Sequence, residues 1–423
     1  MEINNIIIFI ACFAMSCGTY LIWFSRYNIP AHLNLGVIFV GYFVPLMLTD
    51  ILHEYPDDLI DLYTAVICIG AFFYMVGLVI GFQYSIFDKL IKRPNFSYDG
   101  FFKFSNFKYN LILILIFGSL FVMALCWAYI GMVPMLAPDP LLAKFFKGQY
   151  HDSYSKVALP YRLSQTILIM IFPIVAALWA LTRKKILLLA CVLIMIFFSL
   201  ALTRGLMLSG IITLLAVFAA KKRSHMAAFI MIYLFVFGVG SGIYYIYSAI
   251  TEVKIFAYAS DSTIWTIIAS GSPDIPDQLG LLAAFENHGE FTLGRTFWGG
   301  LIPGQYYWNP SAWSLYILNN TDDISDVASG GLRIPVALWG YFSFGWLGVI
   351  IVPFLSGLIF GTSTRYIKKY MLSNNILRSV LVLSFYSIVL SFFGNFYAMS
   401  MYNIPAFLIL FILIYRFSTR SRA

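Results

Sequence analysis

"RKKILLLACVLIMIFFSLALTRGLMLSGIITLLAVFAAKKR", residues 183–223, holds two apolar runs that are bounded by basic residues and joined at Thr203, Arg204 and Gly205. Each run approaches the length of about 20 residues that a helix needs to cross a bilayer. Lys and Arg gather on the cytoplasmic side of membrane proteins. The stretch therefore predicts two antiparallel membrane helices with cytoplasmic basic ends, joined outside by a turn that we expect to use Gly205.

The whole chain repeats this pattern. Of its 423 residues, 61% are hydrophobic and 11% are charged, whereas a soluble domain carries about a quarter charged residues. We expect an all-α polytopic integral membrane protein that forms one integrated domain over residues 1–423, with about eleven transmembrane helices (ten to twelve). The apolar runs that predict these helices are residues 6–24, 33–48, 62–86, 111–130, 163–181, 186–202, 206–220, 227–250, 335–360, 376–396 and 398–415.

The basic residues set the sides of the membrane. The net charge is +8, but Lys and Arg occupy alternate connections instead of one patch, so we expect no nucleic-acid partner. The same alternation predicts an external N-terminus and a cytoplasmic C-terminus. Two external loops follow: a smaller one at residues 132–162 and a large one at residues 251–333, between the eighth and ninth helices.

The large loop combines aromatic residues with turn signals. Apolar residues recur at helical spacing in "PDQLGLLAAFENHGE", residues 276–290, while "GSPDIP", "IPGQ" and "NP" are typical of turns. We therefore expect short helices that lie over the membrane face.

Motifs for nucleotide or metal binding are missing from the sequence. It has no G-x-x-x-x-G-K-[ST], no H-x-x-x-H and no C-x-x-C. Asp57, Asp58 and Asp61 are an alternative cation site, but an acidic external loop explains them better. Inside the apolar runs the one charged residue is Arg378, which disfavours an ion-driven carrier. We expect a protein without metal or cofactor.

Three external arginines are the candidate anion ligands. Arg204 lies 19 residues after Lys185 and 17 before Lys221, or about 26 to 28 Å along each helix, which places it at the outer lipid boundary. Arg295 and Arg333 flank the large loop beside glycines. One explanation for Arg204 is a snorkelling side chain at a helix end. The other is that the three guanidiniums bind a lipid diphosphate, since the arginine fork suits phosphate.

Three stretches carry a resemblance to a known family: "ALTRGLML" (residues 201–208), "GRTFWGGLIPG" (residues 294–304) and "SGGLRIPVALWGYFSFGWLGVIIVPFLSGLIFG" (residues 329–361). With them the chain resembles the Wzy-type O-antigen or oligosaccharide repeat-unit polymerases. It departs from that family in having Trp339 where many members have an acidic residue, and in lacking the Arg-x10-Gly pattern of some relatives.

The resemblance implies a glycosyltransferase on the periplasmic face of the bacterial inner membrane. Its partners would be undecaprenyl-diphosphate-linked glycans, membrane lipids and a chain-length regulator. Arg204, Arg295 and Arg333 would bind the diphosphate, since this leaving group needs charge stabilisation more than protonation. An O-antigen ligase that uses the same donor, and a non-catalytic lipid or polysaccharide transporter, are the alternatives.

Two further groups of residues receive roles from the same resemblance. Glu286, His288 and Glu290 would supply the general base for the acceptor hydroxyl, or else form a solvated helix end. Tyr306, Tyr307 and Trp308 would stack on sugar rings, or else anchor the loop at the membrane interface.

The predicted topology can be tested by labelling. A membrane-impermeant amine reagent applied from the external side should not react at Lys221 or Lys368, because both lie in connections that the basic residues assign to the cytoplasm. Labelling of either lysine from outside would contradict the assignment of sides.

Overall fold

In the computed structural model, all regular secondary structure in the described part of the chain is helical. That part comprises residues 3–84, 106–241, 263–272, 274–325, 327, 329–371, 376–393, 404 and 408, and no strand occurs in it. The long helices are Ile3–Cys17, Ile29–Leu48, Asp57–Gln83, Asn106–Ile130, His151–Thr182, Lys185–Leu200, Arg204–Ala219, Arg223–Ser241, Val336–Met371 and Ile376–Phe393. The short helices are Thr19–Ile22, Pro140–Phe145, Ile264–Ser270, Asp274–His288, Arg295–Trp298 and Pro310–Asn319.

Several of the long helices have membrane dimensions. Among the described residues, six candidate spans are long and apolar enough to cross a bilayer: Ile29–Leu48, Asp57–Gln83, Tyr109–Leu136, Leu142–Thr182, Arg223–Gly240 and Val336–Lys368. Large apolar side chains lie on the outside of the bundle, with Phe72 64%, Phe121 63% and Met231 73% exposed, which suits contact with lipid. The prediction of an all-helical chain with membrane-length helices is confirmed for the described residues. The count of about eleven stays a prediction, and the run at 398–415 lies outside the described residues except for Ile404 and Leu408.

Two boundaries differ from the sequence-based prediction. Residues 151–162, predicted as the end of the smaller loop, are the first three turns of the helix His151–Thr182. The predicted turn on Gly205 is also wrong, because Gly205 lies inside the helix Arg204–Ala219 and the left-handed residue is Leu202, with φ 55°. Thr203 closes this turn by donating from its backbone N–H and its hydroxyl to Phe198 O, each at 2.9 Å.

The most extensive packing between described helices joins Asp57–Gln83 to the late helix Val336–Met371, and two glycine motifs lie in it. These are "GLVIG", residues 77–81, and "GLIFG", residues 357–361. A Cβ on Gly77 would overlap Phe354 O, and a Cβ on Gly357 would overlap Tyr74 O. Backbones that approach this closely tolerate only glycine, which is the usual basis of small-xxx-small packing in membranes.

The late helix is a hairpin, although the sequence predicts a single span at residues 335–360. Helical geometry breaks at Phe344 (φ −141°, ψ 20°) and Gly345 (φ 60°, ψ −145°). The backbones of Gly340 and Gly348 touch, whereas residues eight apart in a continuous helix are about 12 Å apart. The chain therefore reverses at Gly345, where a positive φ favours glycine. We call residues 336–343 the short arm and residues 346–371 the long arm.

The described parts of both predicted loops meet at one end of the bundle, which we call the loop end. Lys147 Nζ donates to Ile324 O at 2.9 Å, and Gly148 N–H donates to Ser325 O at 2.7 Å. Tyr55 OH donates to Pro276 O at 3.4 Å, so the connection before Asp57–Gln83 lies there too. The two loops form one structure instead of two separate caps.

The glycine motifs predict that Gly357→Ala and Gly118→Ala differ in their effect on stability. Gly357→Ala should lower the thermal stability of the purified protein by about 1 to 3 kcal/mol, because the added methyl group forces the two backbones apart. Gly118→Ala is the matched control, since a Cβ there meets nothing within 4 Å. Equal melting temperatures for the two variants would contradict the close packing.

Candidate functional site

An ion pair holds Arg333 at the loop end. Arg333 Nε donates to Asp274 Oδ1 at 2.9 Å. Arg333 Nη2 donates to the hydroxyl of Ser272, which in turn donates to Asp274 Oδ2 at 2.6 Å. The side chain of Asp274 is 2% exposed and that of Arg333 is 37% exposed. The carboxylate is thus sealed inside, while part of the guanidinium still faces outward.

Gln278 fixes this pair to the helices around it. Gln278 is fully buried, and its Nε2 donates to Tyr42 OH and to Arg333 O, each at 3.0 Å. Its Oε1 accepts from Tyr63 OH at 2.6 Å. One amide therefore joins the helices Ile29–Leu48 and Asp57–Gln83 to the segment that leads into the short arm.

The pair lies below the ends of these helices. Tyr42 is six residues before Leu48, and Tyr63 is six residues after Asp57, so both lie about 9 Å inside the helix ends. Asp274 packs on Gly41, where a Cβ would overlap Oδ2. Gly41 belongs to the π-helical turn Phe39–Phe43, a distortion that is frequent at functional sites.

Asp277 lies one turn after Asp274 on the helix Asp274–His288, which we call the loop helix. Residues three apart share one face of a helix. Burial first, and then the negative charge of Asp274, raise the pKa of Asp277 to about 7, while Arg333 acts in the opposite direction. Burial likewise raises the pKa of Asp274, against the effects of Arg333 and Ser272. We call Asp274, Asp277 and Arg333 the deep cluster.

The predicted base candidates lie at the other end of the loop helix. Glu286 is exposed and accepts from Tyr341 OH at 3.0 Å. His288 Nε2 lies 2.8 Å from Ile317 O, and Glu290 is exposed just after the helix ends. Asp274 and Glu286 are twelve residues apart, or about 18 Å along the helix axis. The structure therefore separates these three residues from Arg333.

Arg295 and the predicted sugar-binding aromatics form a group of their own, which we call the aromatic cluster: Arg295, Tyr306, Tyr307 and Trp308. The guanidinium of Arg295 covers the ring of Trp308 at 4.9 Å from the ring centroid. Tyr307 stacks on Tyr316 at 4.9 Å, and Tyr306 is 60% exposed. Ile317, the residue after Tyr316, has its carbonyl oxygen 2.8 Å from His288 Nε2, so this cluster lies at the Glu286 end of the loop helix.

Arg204 begins the helix Arg204–Ala219, and its side chain lies outside the described part of the structure. That helix packs on His151–Thr182, Lys185–Leu200, Arg223–Ser241 and Ile376–Phe393. Between Arg295 and Arg333, the described residues show no hydrogen bond, ion pair or ring contact. Arg295 contacts Trp308, whereas Arg333 contacts Asp274 and Ser272, and the joint binding of one diphosphate by the three arginines stays a prediction.

Asp274 and Asp277 are not among the site residues predicted from the sequence. The sequence predicts a turn at "GSPDIP", but Asp274 begins the loop helix, so the end of the predicted turn is helical. Acidic residues in a first helical turn have an ordinary explanation in the helix dipole. The available signal was the i, i+3 spacing of two carboxylates at the start of an apolar helix, which becomes informative only once Arg333 is placed beside them.

Comparison with family models, with characterised proteins and with solved structures gives no match to this chain. The geometry of the two clusters and the resemblance of the three short stretches therefore carry the functional argument.

Gln278 offers a test of this architecture. Gln278→Ala should destabilise the protein by about 2 to 3 kcal/mol, because Tyr63 OH, Tyr42 OH and Arg333 O each lose a buried partner. Gln305→Ala is the control, since Gln305 is exposed on the same loop. If thermal unfolding shows equal stability for the two variants, Gln278 does not join these helices.

Proposed function

We propose that this chain is a metal-independent glycosyltransferase that polymerises undecaprenyl-diphosphate-linked oligosaccharide repeats on the periplasmic face of the bacterial inner membrane. The product would be an O-antigen or capsular polysaccharide. One observation carries the proposal: a guanidinium held at the depth of the apolar helices, with part of its surface open. A charged group at that depth costs free energy, and charged residues among membrane helices usually mark a functional site.

Arg333 has the donors for this role. A guanidinium carries five N–H groups. Asp274 and Ser272 accept one each, so three remain for an anion. Because Asp274 balances the charge of Arg333, a diphosphate needs further positive charge. We assign this charge to Arg204, whose position relative to the donor is part of the proposal, whereas Arg295 stays with the aromatic cluster against Trp308.

In the proposed reaction, the acceptor hydroxyl attacks the anomeric carbon of the donor glycan as the bond to the diphosphate breaks. The leaving diphosphate gains negative charge. Fixed donors aimed at developing charge stabilise a transition state more than a ground state. Arg333 is already held by Asp274 and Ser272, so it does not need to be ordered when the donor binds.

The aromatic cluster would bind sugars away from the reacting bond. Arg295 already covers one face of Trp308, and Tyr307 is stacked on Tyr316, so their geometry is fixed before a sugar arrives. Since Glu286, His288 and Glu290 share this end of the loop helix, we place them with the same sugars. About 18 Å then separates this region from the diphosphate.

The proposal predicts the products of arginine variants. In a strain that lacks the native protein, Arg333→Ala and Arg204→Ala should reduce long polymer at least tenfold, because the leaving diphosphate loses a ligand. Arg223→Ala is the control, since Arg223 is exposed at the start of its helix. Gel analysis of lipopolysaccharide gives the chain-length distribution.

The products also separate the alternatives. If cells without the protein make lipopolysaccharide core capped with single repeat units, the protein is a polymerase. If they make uncapped core, the protein is a ligase. Purified protein in liposomes should extend lipid-linked repeats without any other protein, which a transporter does not do. Full-length polymer from both arginine variants would contradict the proposed role of the arginines.

A further inference from the structure

Asp277 is the carboxyl of the deep cluster that remains available for chemistry. Both oxygens of Asp274 are engaged, one by Arg333 and one by Ser272. No hydrogen bond between described side chains involves the carboxyl of Asp277, which is partly exposed. Since the two residues share one face of the loop helix, Asp277 lies on the side where Arg333 is held.

We propose that Asp277 accepts the proton of the acceptor hydroxyl, and that Asp274 is a positioning residue that holds Arg333 next to it. This inference rests on the proposed glycosyl transfer. It replaces Glu286, His288 and Glu290 as the source of the base, because Glu286, the first of them, lies about 18 Å along the loop helix from Asp274, which holds Arg333.

The step balances without a further reactant. The acceptor oxygen forms a bond to the anomeric carbon, and its proton passes to a carboxylate oxygen of Asp277. The bond between the anomeric carbon and the diphosphate oxygen breaks, and its electron pair leaves with undecaprenyl diphosphate. Asp277 then returns the proton to water.

The electrostatic surroundings suit this role. The charged groups that act on Asp277 are Asp274, on the same helix, and Arg333, on the segment that leads into the short arm. With a pKa of about 7, the carboxyl is a stronger base than an ordinary aspartate and is still about half ionised at neutral pH. A base with a pKa near the working pH is the most effective in general base catalysis.

The test uses purified full-length protein in liposomes with a lipid-linked repeat unit as both donor and acceptor. Asp277→Asn should lower the rate of chain extension at least 100-fold, since general base catalysis contributes about 10² to 10⁴. Binding of the lipid-linked repeat should change less than threefold, because Arg333 keeps its partners. Asp322→Asn, an exposed change on the same loop, should extend chains at the normal rate.

A pH profile distinguishes a base from a structural residue. The wild-type rate should fall as the pH drops through about 7, because protonated Asp277 cannot accept a proton. Asp277→Glu should recover part of the activity with a shifted profile, whereas the residual rate of Asp277→Asn should not change over this range. Unchanged melting temperatures would show that the variants fold.

The experiment distinguishes failure of the proposed function from failure of the proposed role of Asp277. If the wild-type protein does not extend lipid-linked repeats, the proposed function is wrong. If the wild type extends them and Asp277→Asn does so at a comparable rate, the proposed function stands and the role of Asp277 is overturned.

Discussion

The buried ion pair between Arg333 and Asp274 is the interaction on which the loop end depends. A charge placed among apolar helices is tolerated only when it is paired and hydrogen-bonded. Asp274 meets this condition with Arg333 and Ser272, and Gln278 extends the network to Tyr42 and Tyr63. Loss of one partner would leave an uncompensated charge, so the pair fixes how the large loop sits on the bundle.

The glycine contacts position Arg333 at the depth of the surrounding apolar helices. The close packing between Asp57–Gln83 and the long arm sets the position of the hairpin, and Gly70 touches both Ala337 and Pro353. The short arm is therefore held beside the middle of Asp57–Gln83, and Arg333, three residues before it, lies below the helix ends. Backbone packing and ion pairing thus converge on one place, which is where we propose that the lipid-linked diphosphate and Asp277 meet.

Hydropathy predicts the long apolar helices because a bilayer-length apolar run leaves the backbone few alternatives to a helix. The loop helix is likewise predicted from its periodicity. The hairpin break at Phe344 and Gly345 is not predicted, since the run from Pro335 to Phe360 stays apolar throughout. Arg295 and Arg333 are visible as candidates, but their different partners, Trp308 and Asp274, are not. Pairing of Arg333 with Asp274 joins residues 59 positions apart, and no local pattern encodes a contact of that range.

The most direct measurement is a double-mutant cycle between Asp274 and Arg333. The free energy of unfolding would be measured in lipid bicelles for the wild type, Asp274→Ala, Arg333→Ala and the double variant. A buried, hydrogen-bonded pair predicts that the double variant loses less than the sum of the single losses, with a coupling of at least about 1 kcal/mol. Additive losses would contradict the claim that this ion pair organises the loop end.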